Sequence, residues 1–252
     1  MPNEAARAYR QRIYQNYVTA RGKSLAPENL AGLRPRLPYL RQRVRRHFPS
    51  DRSVAILELG CGHGALLHVL HEAGYRKARG VDSSPEQVAA AQRLGIHGVT
   101  ECDVMSALAV VRDGSLDVVV AFDLIEHFSK DELIQLVDEV RRVLRPNGRW
   151  IIHVPNAESP FGSRMRYGDF THELAFTRVS VAQLLKASGF AGVICFEDKP
   201  VPHGIKSAVR AALWACIRAG LLLYIAVETG AFDRTAVFTQ NLLAVAVRNE
   251  CA

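Results

Sequence analysis

The pattern of apolar positions from residue 54 onward alternates between two periods. Short aliphatic and β-branched runs predict strands, and two stretches between them have the apolar spacing of helices. The strands are "SVAILEL", "ARGVDSS", "GVTECDV", "LDVVVAFD" and "RWIIHVPN", and the helices are "ALLHVLHEAG" and "PEQVAAAQRLG". This alternation is typical of an α/β fold with a doubly wound, mostly parallel sheet, which binds ligands at the carboxyl ends of its strands.

A capping box at Ser129, with Glu132 three residues later, predicts the start of a further helix. We expect this helix to end at Pro146-Asn147-Gly148, because proline and glycine terminate helices. Its apolar positions are Leu133, Leu136, Val137, Val140 and Leu144.

The C-terminal part contains one unusual segment. The runs "GVICFED" and "AVFTQNLLAVAVR" predict two closing strands, but the stretch from Ala211 to Val227 between them is apolar apart from Arg218. It is shorter than the roughly 20 residues that span a bilayer. A core or dimer-interface helix is the simpler interpretation. The alternative is an interfacial helix that reaches a membrane-bound acceptor. It is supported by Lys206, Arg210, Arg218 and Trp214 and by the basic N-terminal segment.

Charge is distributed unevenly along the 252-residue chain. The formal net charge is +7, yet residues 1–53 alone contain twelve basic residues and three acidic ones. Such a segment can contact nucleic acid, anionic lipid or a phosphorylated substrate. The alternative is a solvated helix that docks on the domain through Leu37, Leu40 and Val44.

Composition narrows the class of protein. A hydrophobic content of 48% with 23% charged residues excludes disordered and collagen-like chains. The five cysteines lack the spacing of metal fingers, and the N-terminus lacks the apolar core of a signal peptide. We therefore expect a cytoplasmic protein.

The sequence "ELGCGHG", residues 58–64, follows the first strand. Glycines at this point let the backbone turn sharply and bring its N–H groups close to a ligand. Gly60, Gly62 and Ala65 also satisfy the fingerprint of dinucleotide-binding proteins, and Asp82 lies at the right distance to accept ribose hydroxyls. The motif alone indicates a nucleotide-type cofactor without choosing one.

The ordered set around this loop resembles the class I S-adenosylmethionine-dependent methyltransferases over residues 50 to 200. The set comprises Glu58, the G-x-G-x-G loop, Asp82 after the second strand, Asp103 after the third and Asp123 after the fourth. The resemblance implies a Rossmann-like, seven-stranded sheet with its last strand antiparallel and helices on both faces. It implies S-adenosylmethionine as cofactor and S-adenosylhomocysteine as product.

Cofactor contacts follow from the same resemblance. Glu58 and the glycines would line the methionine side, Asp82 would accept the ribose hydroxyls, and Asp103 with the Val104 N–H would contact adenine. The cofactor-binding residues are then Glu58, Gly60, Cys61, Gly62, Gly64, Asp82, Ser83, Asp103, Val104, Phe122 and Asp123.

The stretch "AFDLIEHF" after the fourth strand is similar to the acid-x-x-Glu-His segment of ubiquinone O-methyltransferases and small-RNA 2′-O-methyltransferases. There the segment is associated with a divalent metal. Here the metal ligands would be Asp123, Glu126 and His127, with aspartate in place of the more usual first glutamate. We favour the metal-free interpretation, in which Glu126 and His127 take part in proton chemistry or shape the pocket.

Residues 166–177, "RYGDFTHELAFT", are expected to cover the acceptor pocket, with Tyr167, Phe170 and Phe176 facing an amphipathic acceptor. His172 is the leading candidate for general base, beside His127 and Glu126. Its structural alternative is to cap a helix or to tie this segment to the sheet. The run from residue 154 to 177 also resembles methyltransferases of bacterial surface-polysaccharide and glycolipid biosynthesis.

Three regions of the chain are expected. Residues 1–50 form a basic helical segment over the cofactor site, in which Tyr14, Tyr17 and Arg21 could contact cofactor or acceptor. Residues 51–200 form the cofactor-binding catalytic core, and residues 201–252 add the apolar insertion and the last strand to the same domain.

These observations lead to an O-methyltransferase acting on a sugar or glycolipid hydroxyl. Alternatives are an aromatic or quinone hydroxyl as acceptor, and a non-catalytic protein that binds S-adenosylmethionine as a regulator or partner subunit. The expected partners are a small-molecule or lipid-linked glycan acceptor, the inner face of a membrane through peripheral contact, and a second copy of the chain. Nucleic acid is disfavoured, since no RNA-binding module is recognisable.

Overall fold

A seven-stranded mixed sheet forms the centre of the computed structural model, which describes residues 12–16, 19 and 26–250. The strand order is β3-β2-β1-β4-β5-β7-β6, with β7 antiparallel to both of its neighbours and the other pairs parallel. The strands are β1 Ile56–Leu59, β2 Ala78–Asp82, β3 Val99–Glu101, β4 Leu116–Phe122, β5 Leu144–Pro155, β6 Phe190–Glu197 and β7 Asn241–Arg248. The doubly wound fold expected from the sequence is confirmed.

Helices cover both faces of this sheet. Numbered from residue 37, they are α1 Leu37–His47, α2 Ala65–Glu72, α3 Pro85–Arg93, α4 Val104–Ala109, α5 Lys130–Val143, α6 Gly162–Tyr167, α7 Arg178–Ala187 and α8 Ile205–Thr229. Two short 3-10 turns lie at Leu30–Leu33 and Ile125–His127.

Two hydrophobic cores hold these layers together, one on each face. Residues of α1, α2 and α3 pack on one face around Ile56 and Val120, and residues of α4, α5 and α7 pack on the other around Leu57 and Val119. Alternate side chains of one strand point to opposite faces, so the continuous apolar run of β4 serves both cores. The strip Leu40 and Val44 of α1 is buried as its spacing predicts.

The order of the strands reverses between β1 and β4. Strand β1 leads into α2 on one face, whereas β4 leads through the turn Ile125–His127 into α5 on the other. The chain segments that leave these neighbouring strands therefore diverge and open a crevice at the carboxyl edge of the sheet. This is the position at which the sequence predicts its ligand.

The capping box at Ser129 is present, because its hydroxyl accepts from the Glu132 N–H while the Glu132 carboxylate accepts from the Ser129 N–H. The helix ends earlier than predicted, at Val143, and Leu144 opens β5 instead. The residue before a proline avoids the helical conformation, so Pro146 excludes helix one residue earlier than its own position.

Two short helices were not predicted. Helix α4 follows β3 directly, with the Asp103 side chain accepting from the Ser106 N–H at 3.0 Å. Helix α6 leads into the segment expected to cover the acceptor, which begins at residue 166. Both contain six residues, too few for an apolar period to stand out in the sequence.

The interpretation of the insertion as a buried core helix is wrong. Helix α8 runs for 25 residues, and Ser207 and Leu222 are its buried members. It is the one helix in the described part of the chain that is long and apolar enough to cross a membrane, and 6% of its most apolar 18-residue window is buried.

Candidate active site

The loop after β1 has a conformation that favours glycine at its two ends. Gly60 has φ +66°, and a Cβ there would lie 2.9 Å from the Leu124 Cδ1 atom of the loop after β4. Gly64 precedes α2 with φ +77°, and its Cβ would lie 2.9 Å from Ile96 Cγ2. Both substitutions would also force a side chain into the left-handed region. The loop thus brings its backbone and the start of α2 close to the crevice.

Asp82 at the end of β2 fixes this loop from the side. One carboxylate oxygen accepts from the Gly62 N–H at 2.7 Å, and the other accepts from the Ser84 N–H at 2.9 Å. Burial raises the pKa of Asp82, and these two N–H bonds oppose that effect. Each oxygen retains a lone pair, so the carboxylate can still accept two hydroxyl donors. Ser83 is exposed beside it.

Glu58 is an unpaired buried acid under the same loop. Its side chain is 3% exposed, and its Oε2 atom has no hydrogen-bond partner among the described residues. Burial, together with the charge of Asp82, raises the pKa of Glu58 well above its ordinary value. A buried carboxylate without a partner is costly. A ligand with an ammonium group, as on the methionine side of S-adenosylmethionine, would supply the missing partner.

The remaining predicted cofactor contacts differ in exposure. Asp103 is exposed, and its cap on α4 leaves the Val104 N–H in the first turn of that helix, where a ligand acceptor can reach it. Cys61 instead turns inward, since a Cβ at Gly80 would lie 2.7 Å from its Sγ atom. Burial raises the pKa of the Cys61 thiol. This residue therefore contributes backbone rather than a reactive thiol.

Asp123 is separated from the other members of the proposed metal set. It adopts φ +51°, and its Oδ1 atom lies 2.7 Å from His153 Nδ1, with Phe122 packed on the same imidazole. The protein atoms around Asp123 would by themselves raise its pKa, but the charge and hydrogen bond of His153 hold that pKa below its ordinary value. The Asp123 side chain is nevertheless 56% exposed. A left-handed aspartate costs about 1 kcal/mol or more, so its partner must hold it there.

His153 belongs to a buried charge network that the sequence analysis missed. Its Nε2 atom lies 3.3 Å from Asp198 Oδ2, and Asp198 also pairs with the guanidinium of Arg43 on α1. The Arg43 guanidinium lies over the ring of Tyr39 at 4.8 Å. Burial alone would lower the pKa of His153, but Asp123 and Asp198 raise it well above its ordinary value. The network joins β4, β5, α1 and the end of β6.

Glu126, His127 and His172 form the second cluster at this edge. One ligand atom from each lies within 4.8 Å of the others, and His172 Nε2 lies 4.0 Å from Glu126 Oε1. Neither carboxylate oxygen of Glu126 accepts a hydrogen bond from the described residues. Burial, with the charge of Asp123, raises the pKa of Glu126 well above its ordinary value. Burial and the neighbouring His172 lower the pKa of His127 to about 4.

Both imidazoles are oriented by a hydrogen bond at Nδ1, which leaves Nε2 without its proton in the neutral ring. His172 Nδ1 lies 2.9 Å from the Met165 carbonyl, which can only accept, so in the neutral ring Nδ1 carries the proton. His127 Nδ1 lies 2.8 Å from the Thr171 hydroxyl, which itself donates to Asp169 at 2.6 Å. Neutral His127 therefore also donates from Nδ1. The lone pairs at both Nε2 atoms remain for a proton or a metal.

The segment 166–177 is bound to this cluster by its main chain. The N–H groups of Glu173 and Leu174 donate to the Glu126 carbonyl at 2.8 and 3.0 Å. Tyr167 and Phe170 are exposed at 78% and 83%, as an acceptor-facing surface requires. Phe176 is buried in the core instead, so its predicted contact with the acceptor is wrong.

Tyr14 of the N-terminal segment, which was predicted to contact cofactor or acceptor, lies beside this cluster. The Tyr14 ring meets the His127 ring edge-on, with centroids 6.2 Å apart. The other two residues named for this role, Tyr17 and Arg21, lie outside the described residues.

Part of the crevice lies in a region that matches a known protein family. Residues 56–148, which include the glycine loop, Asp82, Asp103 and the Asp123 to His127 segment, match the family model described as a methyltransferase domain. This part of the chain is therefore similar to methyltransferase domains. It contains the reversal of strand order and both loops that diverge there.

Two curated relatives match part of the chain. Norajmaline N-methyltransferase of Rauvolfia serpentina is 32% identical over 110 residues, 41% of this chain and 37% of that protein. A probable S-adenosylmethionine-dependent methyltransferase of Mycolicibacterium smegmatis is 31% identical over 140 residues, 54% and 51% of the two chains. The chain thus spans between about a third and a half of the length of these relatives.

The fold extends beyond the region of sequence similarity. The crystal structure of an S-adenosylmethionine-dependent methyltransferase from Archaeoglobus fulgidus superposes with a TM-score of 0.64 at 20% identity. The superposition covers 87% of this chain and all of the other. The Rossmann-like methyltransferase fold therefore includes the sheet as a whole.

The His153 network predicts a pH-dependent contribution to stability. A raised pKa in the folded state stabilises the fold below the ordinary histidine pKa of about 6.5, and this contribution is lost as pH rises through the higher, folded-state value. We expect His153→Gln to lower the free energy of unfolding more at pH 6 than at pH 9, measured by urea denaturation. The same change at exposed His97 is the control. An equal or larger loss at pH 9 would contradict the assignment.

Proposed function

We propose that the chain is an S-adenosylmethionine-dependent methyltransferase that transfers the methyl group to a hydroxyl, most simply that of a sugar or glycolipid. The observation that carries the proposal is the buried Glu126, His127 and His172 cluster beside the glycine loop. A hydroxyl must lose its proton when it is methylated, and this cluster offers unoccupied proton acceptors at the right edge of the sheet. A protein that only binds the cofactor has no need of them.

The glycine loop and the acids around it fit the cofactor. When bound, S-adenosylmethionine supplies a methyl group made electrophilic by its sulfonium. Glu58 would hold the ammonium of the methionine portion, Asp82 the ribose hydroxyls, and the Val104 N–H the adenine. Binding both ends of the cofactor in this way fixes the direction of the methyl group, which is the main requirement for in-line transfer.

His172 is the group that we assign as general base. With Nδ1 donating to Met165, its Nε2 atom is free to take the proton of the acceptor hydroxyl as the new carbon–oxygen bond forms. Glu126 Oε1 lies 4.0 Å from this nitrogen, and the positive charge that His172 gains would favour the ionised form of Glu126. Tyr167 and Phe170 offer ring surfaces of the kind on which sugars and aromatic acceptors pack.

An amine acceptor is the second candidate. It is favoured by the similarity of residues within the domain to norajmaline N-methyltransferase, whose name records transfer to nitrogen. An aromatic hydroxyl is the third, since it needs the same base. The three acceptor classes differ in chemistry, so a direct comparison of turnover decides between them.

Cofactor binding should depend on Asp82. Replacement by asparagine removes the charge that strengthens the hydrogen bonds to two hydroxyl donors, and we expect affinity for S-adenosylhomocysteine to fall roughly tenfold or more. Isothermal titration calorimetry measures this directly. Asp138→Asn on the exposed side of α5 is the matched control, with unchanged affinity. Equal affinity in Asp82→Asn and wild type would refute the proposed cofactor site.

Turnover should depend on His172. We expect His172→Gln to lower kcat by roughly a hundredfold, the usual contribution of a general base, with S-adenosylhomocysteine affinity unchanged. The assay follows transfer of labelled methyl to methyl glycosides, a catechol and a secondary amine. Preference for the glycosides supports the first acceptor class. Full activity of the variant would leave His172 with only its structural contacts.

The same three side chains also fit a divalent cation. A buried carboxylate without partners and two imidazoles with oriented Nδ1 atoms form a donor set suited to Zn²⁺ or Mn²⁺. A bound cation would lower the pKa of an acceptor hydroxyl. The ligands would then be Glu126, His127 and His172, whereas the structure places Asp123 against His153.

Thermal unfolding distinguishes the two uses of the cluster. If the cluster binds metal, Zn²⁺ or Mn²⁺ at one hundred times its dissociation constant should stabilise the fold by about 2.7 kcal/mol, and EDTA should reverse the effect. Glu126→Gln should abolish the shift in melting temperature and Asp123→Asn should retain it. Activity that is unaffected by EDTA, without a thermal shift, would assign the cluster to metal-free base catalysis.

A further inference from the structure

Helix α8 presents an apolar surface that the domain leaves uncovered. Its contact with the rest of the fold is a narrow strip, in which Trp214, Leu222 and Ile225 pack against Ala236 and Phe238. The opposite side carries large apolar side chains that are more than half exposed, namely Ile205, Val209, Leu213, Ile217, Leu223, Tyr224 and Val227. A continuous exposed patch of this kind marks a surface with a partner.

The charge within this helix is turned away from that surface. Arg218 interrupts the apolar stretch, but its Nε atom donates to Glu197 at 2.9 Å, and its guanidinium also donates to the carbonyls of Arg234 and Ala236. The exposed side from Ala211 to Val227 is consequently uncharged. The charge of Arg218, which interrupts the apolar stretch in the sequence, is thus bound by groups of the protein.

Basic side chains collect at one end of the apolar surface. Lys206 and Arg210 are exposed on the first two turns of α8. Arg46 of α1 and Lys199 line the adjacent groove of about 530 Å³ between α1 and α8. The acidic residue of that groove, Glu197, is already paired with Arg218. At this end of the apolar face the free charge is therefore positive, which complements anionic lipid headgroups, whereas the exposed acid Glu228 lies in the last turn of α8 at the opposite end.

The helix also lies at the edge of the sheet that carries the candidate active site. Strand β6 is antiparallel to β7, which is antiparallel to β5, so β6 ends at the same edge as β4 and β5. Its last residue, Glu197, holds Arg218, and the next residue, Asp198, holds His153 beside Asp123. A surface that binds to α8 would therefore lie beside the crevice.

We propose that α8 is an interfacial membrane helix, which lies in the plane of an anionic bilayer and places the active-site edge against the headgroups. A membrane-crossing arrangement is disfavoured, because Arg218 and the packed strip hold the helix along the domain. An acceptor anchored in the bilayer could then reach the crevice without leaving the membrane. The membrane contact itself does not depend on methyl transfer, so its test is separate from the catalytic ones.

Co-sedimentation of the full chain with vesicles tests the proposal. We expect binding to vesicles of phosphatidylcholine with about 30% phosphatidylglycerol, which gives the vesicle surface a negative charge. Binding to vesicles of phosphatidylcholine alone should be weaker. Leu213→Glu with Ile217→Glu should reduce binding at least tenfold, since it places two charges on the exposed apolar face. Lys206→Gln with Arg210→Gln should reduce binding to the anionic vesicles roughly thirtyfold and leave phosphatidylcholine binding unchanged.

The matched control introduces the same two charges outside α8, as Val110→Glu with Ile134→Glu, both on exposed apolar side chains. It should bind vesicles like wild type. Unchanged melting temperature and S-adenosylhomocysteine affinity in all variants establish that they are folded. Release of the wild type by sodium carbonate supports an interfacial helix, and retention in the pellet overturns it.

Three further results would overturn the proposal. The first is the absence of vesicle binding by the wild type, and the second is vesicle binding by Leu213→Glu with Ile217→Glu at the wild-type level. The third is a dimer in sedimentation velocity that this double variant converts to monomer without any vesicle binding. The third result would assign the apolar face to a second copy of the chain.

Discussion

The divergence of the chain after two adjacent parallel strands determines where everything else in the site can lie. Strands β1 and β4 are paired along their length, but the helices that follow them pack on opposite faces of the sheet. The two loops approach each other closely, since a Cβ at Gly60 would lie 2.9 Å from the Leu124 side chain. The proposed cofactor site and the cluster of Glu126, His127 and His172 therefore lie at the same edge of the sheet, supplied by different loops.

Charge buried at this edge holds the architecture in register. His153 lies on β5 and contacts two carboxylates. One is Asp123 in the loop after β4, and the other is Asp198 after β6. Arg43 extends the network to α1. Removal of any one partner would leave an uncompensated charge in the interior, which is more costly than the absence of the whole network. The N-terminal helix, the sheet and the acceptor side are thereby coupled.

Local patterns in the sequence predicted the parts of this site that depend on neighbours in the chain. The glycine loop and the capping box at Ser129 are of this kind, since turns and caps are formed by residues a few positions apart. Asp82 bonds Gly62 across 20 residues and was predicted from its spacing in a known motif. His153 was not singled out, because its two carboxylate partners are 30 and 45 residues away and the surrounding run "RWIIHVPN" indicates only a strand. The exposure of α8 likewise depends on distant packing. Its composition suits a core helix, and only the fold leaves it outside.

The main-chain hydrogen bonds from Glu173 and Leu174 to the Glu126 carbonyl restrict how the acceptor preference can change. In many enzymes a loop over the substrate can be exchanged while the reacting groups stay in place. Here the loop supplies His172 and also holds the turn that carries Glu126 and His127. Grafting another protein's loop at this position would remove the proposed base, His172. It would also remove the hydrogen bonds that hold the turn with Glu126 and His127. New acceptors are therefore more readily gained by point substitutions at Tyr167 and Phe170, whose side chains project away from that support.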